Sequence, residues 1–268
     1  MPWVADTSFA RLALLIAGAL LSGYLALALY AWFCPDHLIY HPEMASTRRM
    51  PDAVKLETGD GGRISALYLP HPHARFTIWV FHGNAEGLGD SEPMLRELQG
   101  RGFNVFAYDY PGYGHSDGRP HERSIYAATR VGLDYLRTEH GVDPTNIIAF
   151  GRSLGGGPAV ELAHTEPVAG LILQSAFTSV FRVVTRRKIL PFDQYDNLAK
   201  LRQVECPILI MHGAQDEIVP YAHAVQLHAT AAGRGRLLTI EGAGHNNLRE
   251  LAGPRYWSAI EEFCRGLN

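Results

Sequence analysis

The stretch NIIAFGRSLGGGPAVELA, residues 146–163, contains three local patterns whose order decides the fold. It opens with a short apolar run that is typical of a buried strand. GRSLG (Gly151–Gly155) follows, with Ser153 between two glycines, and the remainder predicts a helix. Strand, sharp turn and helix in this order present a serine hydroxyl on a strained bend, where the residues two before and two after the serine must be small. We therefore predict that Ser153 is a nucleophile.

A second run, GHSDG (Gly114–Gly118), has the same glycine and serine spacing around Ser116. A strand precedes it, but the residues that follow Ser116 include Asp117, Gly118 and Pro120. No helix can begin there, so the run predicts a turn-rich loop at the sheet edge. A helix after Ser153 also directs its free N–H groups and positive dipole end at the serine, which favours a developing oxyanion. The context selects Ser153 over Ser116.

Around the decisive stretch, strand patterns alternate with helix patterns. RISALYL (63–69) alternates apolar and polar residues and is expected to pair with AVKLET (53–58). Six further runs are apolar on both faces, as buried parallel strands require; they are FTIWVF (76–81), FNVFAY (103–108), NIIAF (146–150), AGLILQ (169–174), PILIMH (207–212) and RLLTIE (236–241). This alternation predicts an α/β fold with about eight mostly parallel strands covered by helices on both faces.

A serine nucleophile needs a base and an acid, which in hydrolases of the α/β class follow the serine in the order acid, then histidine. Asp216 comes just past the end of a predicted strand, and His245 lies in a glycine-rich loop after the last strand. Glu217 and Asp196 are the substitutes for the acid. Four other histidines lie within or beside regular elements and have no such placement; they are His164, His212, His223 and His228.

An oxyanion hole requires two converging N–H groups. The first is expected from Leu154, directly after the nucleophile. The second is expected from the loop HGNAEG (82–87), where the N–H of Asn84 follows Gly83, with the N–H of Ala85 behind it. The alternative is that His82-Gly83 is merely a turn that ends a strand.

Composition excludes several other classes of function. The chain has 268 residues and a net charge of −3, without the basic excess of a nucleic-acid partner. Its three cysteines, Cys34, Cys206 and Cys264, are too scattered for a disulfide framework or a metal cluster. HPH (71–73) lacks a visible third or fourth metal ligand, and no nucleotide-binding fingerprint occurs. We expect neither a metal nor a cofactor.

The N-terminal run from Leu12 to Phe33 contains no charge and is long enough to cross a bilayer as a helix. Tyr30 and Trp32 near its end suit the lipid–water boundary. A cleaved signal peptide is the alternative, since Ala26-Leu27-Ala28 resembles a processing site. We predict a membrane anchor and the start of a connector over residues 1–37, and a catalytic domain over 38–268. The few flanking arginines are compatible with either orientation, and we expect the domain on the outer, periplasm-like face.

The connector, residues 34–51, spans at most about 60 Å when extended, which would keep the domain near the membrane. Residues 176–200 are too long for a plain connection between strands and are expected to form a short lid. Within them, FRVVTRRKILPF (181–192) interleaves apolar residues with Arg182, Arg186, Arg187 and Lys188. Such a segment can lie on an anionic lipid surface; an ordinary solvated flap is the alternative.

From about Leu38 to the end, the chain resembles the α/β-hydrolase superfamily. The segments that carry the resemblance are HGNAEGLGD, YDYPGYGHSDG, GRSLGGGPAVELA, LILQSAFTS, CPILIMHGAQDEIVP and EGAGHNN. Within that superfamily it is most similar to the membrane-anchored serine hydrolases, which include acyl-protein thioesterases and serine aminopeptidase-like bacterial relatives. The resemblance implies a Ser153–Asp216–His245 triad. It also implies that the substrate is a small or lipid-like acyl compound or an acylated protein. The rival readings are a peptidase and a non-catalytic protein that binds a lipid or partner in the same pocket.

Overall fold

The computed structural model describes residues 7–59, 61–187 and 189–267. The chain divides into two compact units, Met1–Ile39 and Tyr40–Asn268. The first unit contains helix α1 (Thr7–Phe33) and the short helix α2 (Pro35–Ile39). The residues of the predicted 1–37 segment that precede Thr7 lie outside the described part of the chain.

Helix α1 contains the predicted membrane segment. Its span Phe9–Phe33 has a mean hydropathy of 2.3, and among the described residues it alone is long and apolar enough to cross a bilayer. At 1.5 Å per residue, 25 residues extend over about 38 Å, compared with a hydrocarbon core of roughly 30 Å. A signal sequence near the N-terminus would meet the same criteria.

The second unit is built on one sheet of eight strands. The strands are β1 (Val54–Glu57), β2 (Arg63–Leu69), β3 (Thr77–Phe81), β4 (Asn104–Tyr108), β5 (Ile147–Arg152), β6 (Gly170–Gln174), β7 (Ile208–Gly213) and β8 (Gly235–Ile240). Their order is β1-β2-β4-β3-β5-β6-β7-β8. β1 pairs with β2 and β2 with β4 in antiparallel fashion, and all the other pairs are parallel. The predicted α/β architecture and the pairing of the first two strands are confirmed.

Helices connect the strands and flank the sheet. They are α3 (Leu88–Gly100), α4 (Glu122–His140), α5 (Gly156–Thr165), α6 (Val180–Thr185), α7 (Asn197–Leu201), α8 (Ala222–Thr230), α9 (Leu248–Ala252) and α10 (Pro254–Arg265). Helices α3 and α10 share a core with alternate strand residues such as Ile78 and Val80. Helix α4 approaches the opposite face so closely that a methyl group on Gly132 would lie 2.8 Å from the ring of Trp79. Helices therefore cover both faces, as predicted.

Two segments of the second unit are not regular strand–helix connections. In the described residues of the lid segment, 176–187 and 189–200, the helices are the short α6 and the beginning of α7, without a long helical cap. Lys188, one of its predicted basic residues, lies outside the described residues. From Tyr40 onward, the expected connector belongs to the compact unit that contains the sheet. Residues 40–51 of the expected connector are therefore part of that unit.

Candidate active site

Strand β5 ends at Arg152, and the chain turns sharply at the next residue. Ser153 has a φ of 49°, in the left-handed region that non-glycine residues rarely adopt. A short 3-10 turn, Ser153–Gly155, leads directly into helix α5 at Gly156. Such a conformation costs on the order of 1–3 kcal/mol and persists only when the surroundings fix it. The turn places the Ser153 side chain at the end of the parallel strands, where open α/β sheets bind ligands.

The glycines on either side of Ser153 lie where backbones come closest. A methyl group on Gly151 would lie 2.4 Å from the carbonyl oxygen of Gly155. A methyl group on Gly155 would lie 2.1 Å from the carbonyl oxygen of Phe81, at the end of the neighbouring strand β3. Neither contact can be relieved by a rotamer change because both involve backbone atoms, so only glycine fits at these positions.

Ser153, His245 and Asp216 lie on separate loops and are joined by hydrogen bonds. Ser153 Oγ is 3.0 Å from His245 Nε2. On the other side of the ring, His245 Nδ1 is 2.8 Å from Asp216 Oδ2 and 3.0 Å from Oδ1. With Nδ1 donating to the carboxylate, Nε2 of a neutral imidazole is the acceptor for the serine hydroxyl. The arrangement can remove a proton from Ser153.

The Asp216 carboxylate is fully buried and heavily hydrogen-bonded. The backbone N–H groups of Ile218 and Val219 donate to Oδ1 at 3.0 and 2.7 Å. Burial by itself raises the pKa of this carboxyl, but hydrogen bonds from His212 and His245 outweigh it and hold the pKa well below its usual value. Asp216 therefore stays ionised and can fix the orientation of His245.

His212 belongs to this cluster, although its position inside a strand made it seem remote from any site. Its Nε2 lies 2.8 Å from the carbonyl oxygen of Val219 and 3.3 Å from Asp216 Oδ2. Because a carbonyl oxygen only accepts, Nε2 carries the proton and is directed at the acid as well. The Nδ1 atom has no hydrogen-bond partner among the residues that the structure describes. His212 was set aside only as the catalytic histidine, and its contact with the acid could have been indicated only by the register of β7 beside the turn after it.

The substitutes for the acid have other roles. Glu217 Oε2 accepts a hydrogen bond from the backbone N–H of His245 at 3.3 Å, so this carboxylate contacts the loop rather than the ring. Asp196 accepts from the N–H of Ala199 at 3.2 Å and caps helix α7. Neither side chain is hydrogen-bonded to the His245 ring.

The loop after β3 contains the other predicted N–H donor. Ala85 has a φ of 61°, and its N–H donates to the side-chain oxygen of Asn84 at 3.1 Å. That bond engages the N–H of Ala85, the second of the two donors predicted in this loop. The N–H of Gly83 donates to Glu86 Oε2 at 2.9 Å and is engaged within the loop. Leu154, the first candidate, is the residue after Ser153 in the turn.

Arg152 links three of the loops that surround the serine, which sequence patterns did not indicate. Its guanidinium forms an ion pair with Glu86, the residue that also accepts from Gly83. It also donates to Asn246 Oδ1 at 3.0 Å, next to His245. The Arg152 side chain is only 18% exposed. A planar guanidinium with several fixed donors is suited to such bridging.

Gly156 and Gly157 begin helix α5 and lie close to residues of the lid segment. A methyl group on Gly157 would lie 2.2 Å from the ring of Tyr195, in the lid segment. The nearest neighbour of such a group on Gly156 is the Cβ of Ala176, at 2.8 Å. Gly157 therefore makes room for the lid segment, whereas Gly156 makes room for Ala176 just after β6 and also has Leu173 of β6 at 3.9 Å.

Ser116 lies in a loop and has a different environment. Its hydroxyl donates to the carbonyl oxygen of Asp109 at 2.7 Å and accepts from the N–H of Ser65 at 2.9 Å. Both contacts are to backbone, so the hydroxyl ties the loop to strand β2. Within the described residues, no group of three or more His, Cys, Asp or Glu side chains could hold a metal ion.

Comparisons with known proteins agree with this architecture. Residues 77–188 match the α/β-hydrolase fold family, and residues 185–254 match the TAP-like protein family. The human α/β hydrolase domain-containing protein 17B is 35% identical over 85% of this chain and 81% of its own length. The mouse α/β hydrolase domain-containing protein 17C is 34% identical over 86% of this chain and 73% of its own length.

Solved structures show the same fold at low sequence identity. The Pyrococcus furiosus esterase Pf2001 has a TM-score of 0.69 at 16% identity, over 80% of this chain and 91% of that one. The monoacylglycerol lipase of Paleococcus ferrophilus has a TM-score of 0.60 at 21% identity, over 75% of this chain and 97% of that one. The eight-stranded sheet, the strand–turn–helix around Ser153 and these similarities are mutually consistent.

Proposed function

This chain belongs to the α/β-hydrolase family, and we propose that it is a serine hydrolase that cleaves carboxylic esters or thioesters. In the proposed reaction, Ser153 Oγ attacks the substrate carbonyl carbon while His245 Nε2 takes the hydroxyl proton. The carbonyl oxygen becomes an oxyanion, which the N–H groups of Leu154 and Asn84 stabilise. Asp216 stays ionised throughout and holds the imidazole in the tautomer that accepts this proton.

Collapse of the tetrahedral intermediate releases the alcohol or thiol, which takes the proton from His245. The acyl group is then esterified to Ser153 Oγ. A water molecule attacks this ester, giving its proton to His245, and the second intermediate breaks down to the free acid. The proton returns to Ser153, so the residues end as they began.

One observation carries the proposal: the continuous hydrogen-bonded path from Ser153 Oγ through His245 to Asp216, with distances of 3.0 and 2.8 Å. Three loops far apart in sequence must converge to form it. Strained backbone at Ser153 adds support, because strain of this kind collects at functional sites. The esterase and lipase neighbours support only the fold.

The apolar helix favours a substrate that occurs near a membrane. We propose that α1 is an uncleaved anchor, that the substrate is a lipid-like acyl ester or thioester, including an acylated protein, and that the domain faces the outer side. Protease accessibility of the domain in intact cells tests the orientation. Digestion without permeabilising the cells is the expected result, and protection until they are lysed would contradict it.

The activity test uses the full-length protein in detergent micelles with p-nitrophenyl esters of increasing chain length. Wild-type protein should hydrolyse them, and Ser153→Ala should lower the rate by a factor on the order of 10⁴ to 10⁶. Equal rates for the two proteins would refute the proposal. Matched acyl esters, thioesters and aminoacyl amides then separate the bond types. Faster cleavage of the amides would favour the peptidase reading.

A further inference from the structure

The chain immediately after the N-terminal unit is packed along the loop that contains Asn84. We call residues Tyr40–Arg48 the strap. Four contacts outside the strap's own residues define its path: Tyr40 to Tyr195, His41 to Asn84, Ser46 to Asp90 and Arg48 to Gly89. The strap thus touches the lid, the oxyanion loop and the first turn of helix α3. All these residues belong to the same compact unit.

Its closest link to the site is through the side-chain oxygen of Asn84. This oxygen accepts from the backbone N–H of His41 at 3.1 Å, from the hydroxyl of Tyr113 at 2.6 Å and from the N–H of Ala85 at 3.1 Å. The His41 N–H also lies 3.1 Å from the Tyr113 hydroxyl oxygen. Because the left-handed conformation of Ala85 is strained, something must hold it. The His41 N–H and the Tyr113 hydroxyl, which lie outside the loop, hold the Asn84 side-chain amide in place, and this amide in turn accepts the hydrogen bond from Ala85.

Helix α3 is shaped to receive the strap. A methyl group on Gly89 would lie 2.9 Å from Ser46 Oγ, 3.1 Å from Arg48 Cβ and 3.2 Å from the Arg48 carbonyl oxygen. The N–H of Ser46 donates to Asp90 Oδ2 at 2.8 Å, and Arg48 forms an ion pair with Glu92. Glycine in a helix lowers helix stability by up to about 1 kcal/mol relative to alanine. The close packing of the strap explains why glycine rather than alanine is found at position 89.

The strap also reaches the lid beside the nucleophile turn. The hydroxyls of Tyr40 and Tyr195 are 2.8 Å apart and buried. The Tyr195 ring occupies the space above Gly157, four residues after Ser153. One end of the strap therefore contacts the loop with the proposed oxyanion donor and also the lid that packs on the nucleophile helix.

We infer that the strap is a positioning element of the active site, which ties the segment after the N-terminal helices to the geometry of the oxyanion loop. This inference rests on the proposed hydrolase function and adds to it. The strap touches no reacting atom; it acts through the Asn84 side chain and the first turn of α3. Its displacement should therefore lower kcat more than it raises KM, because misplacement of about 1 Å can cost on the order of 100-fold in rate.

The first test displaces the strap without weakening the helix. Gly89→Ala in the full-length protein adds a methyl group that collides with Ser46 and Arg48, while alanine favours the helix. Gly100→Ala is the matched control: it lies at the end of the same helix, where a methyl group meets nothing within 4 Å. We expect kcat to fall about tenfold in Gly89→Ala, with KM within about twofold, and to stay unchanged in Gly100→Ala. Tryptic cleavage after Arg48 or Arg49 should also become faster in Gly89→Ala alone.

The second test removes one donor to Asn84 and keeps the packing. Tyr113→Phe deletes the hydroxyl 2.6 Å from the Asn84 oxygen. Tyr108→Phe is its control, since that buried hydroxyl is also hydrogen-bonded, at 2.8 Å from Thr129 Oγ1, but contacts neither strap nor loop. A severalfold loss of kcat is expected for Tyr113→Phe only. In the double variant Gly89→Ala/Tyr113→Phe, the two losses should be less than additive because they act on one loop.

Wild-type kcat in Tyr113→Phe, or in a Gly89→Ala protein whose strap is cleaved faster, would overturn the inference. So would equal losses in the variants and their controls, which would indicate general destabilisation. Failure of the proposed function looks different, because then the wild-type protein itself shows no hydrolysis that depends on Ser153.

Discussion

Gly114–Gly118 and Gly151–Gly155 have the same spacing of glycine and serine but opposite surroundings. The Ser116 hydroxyl is bonded on both sides to backbone, donating at 2.7 Å and accepting at 2.9 Å. Ser153 Oγ instead lies 3.0 Å from an imidazole nitrogen. One hydroxyl is used to join a loop to a strand, and the other is available for proton transfer.

The glycines of the two runs are required for different reasons. Gly114 and Gly118 have φ values of 50° and 91°, so they supply backbone conformations that other residues avoid. Gly151 and Gly155 are required by space, since a methyl group on either would overlap a backbone carbonyl. Gly114 is crowded as well, but by a side chain, since a methyl group there would lie 2.3 Å from Asp109 Oδ2. Positive φ values thus distinguish the glycines of the first run and backbone contacts those of the second, and only the second run contains a serine with positive φ.

Replacing each serine should give the largest contrast. Ser153→Ala removes the proposed nucleophile and is expected to lower kcat by a factor on the order of 10⁴ to 10⁶. Ser116→Ala removes two hydrogen bonds to backbone and should cost about 1–2 kcal/mol of unfolding free energy while kcat stays within about twofold. Steady-state kinetics and thermal unfolding of both variants check this. A comparable loss of kcat in the folded Ser116→Ala protein would contradict the assignment.

Replacing one glycine of each run should sharpen the comparison. Gly155→Ala forces Cβ to within 2.1 Å of the Phe81 carbonyl oxygen, so the turn must move. We expect at least about a 100-fold fall in kcat, because the nucleophile is displaced. In Gly118→Ala the nearest atom is the Cβ of Pro111 at 3.6 Å, and only the cost of a left-handed conformation, about 1–2 kcal/mol, remains.

Activity assays at equal folded concentration, set by circular dichroism, separate the two glycine variants. Gly118→Ala should retain nearly all of its kcat despite a lower midpoint of thermal unfolding. If Gly155→Ala were as active as Gly118→Ala, crowding would not be what defines the turn around Ser153.

Much of this contrast could be predicted from the sequence. Strand and helix patterns around residues 146–163 selected Ser153, and chain order then indicated Asp216 and His245 as its neighbours. Local patterns give the end of each strand, and parallel strands bring such ends to one edge of the sheet. The structure brings these three side chains together in hydrogen-bonded contact.

Other contacts between distant loops could not be predicted. Three such contacts are those of Arg152 with Glu86 and Asn246, of His212 with Asp216, and of the strap with Asn84. They depend on the directions of side chains, which the helix and strand periodicity of the sequence does not determine. Tyr195 was likewise unforeseen as the neighbour of Gly157. In each case two residues meet only because the sheet has already assembled.

Arg152 offers a smaller test of how the nucleophile turn is held. Arg152→Met keeps the length of the side chain but removes the ion pair with Glu86 and the bond to Asn246. We expect kcat to fall about 10- to 30-fold with little change in KM, because the oxyanion and histidine loops lose their common partner. Arg137→Met is the control; it removes an ion pair with Glu166, beyond the far end of helix α5. Similar losses in the two variants would contradict a positioning role.

The smallest effect concerns the buried acid of the Ser116 loop. Burial raises the pKa of Asp109 to about 6, against the opposing hydrogen bonds from the N–H groups of Leu88 and His115. A raised carboxyl pKa gives a contribution to stability that is complete below the unfolded value of 3.8 and is lost as pH rises through about 6. The loss should be about 3 kcal/mol at most.

Asp109→Asn cannot titrate, so its unfolding free energy should vary less with pH between 4 and 7 than that of the wild type. Urea unfolding at several pH values in detergent measures the difference. Parallel curves for the two proteins would show that Asp109 has no raised pKa. Only the difference between the two proteins in how the free energy of unfolding changes with pH is used. A loss of stability that is the same at every pH therefore does not affect the comparison.

The most direct measurement is the site of covalent modification by a fluorophosphonate probe, mapped by peptide mass spectrometry on the full-length protein. A phosphonyl adduct on Ser153, absent from His245→Ala protein and unaffected by Ser116→Ala, is the result expected if the hydrogen-bonded path activates this hydroxyl. An adduct on Ser116, or a folded wild-type protein that the probe does not label, would contradict the account.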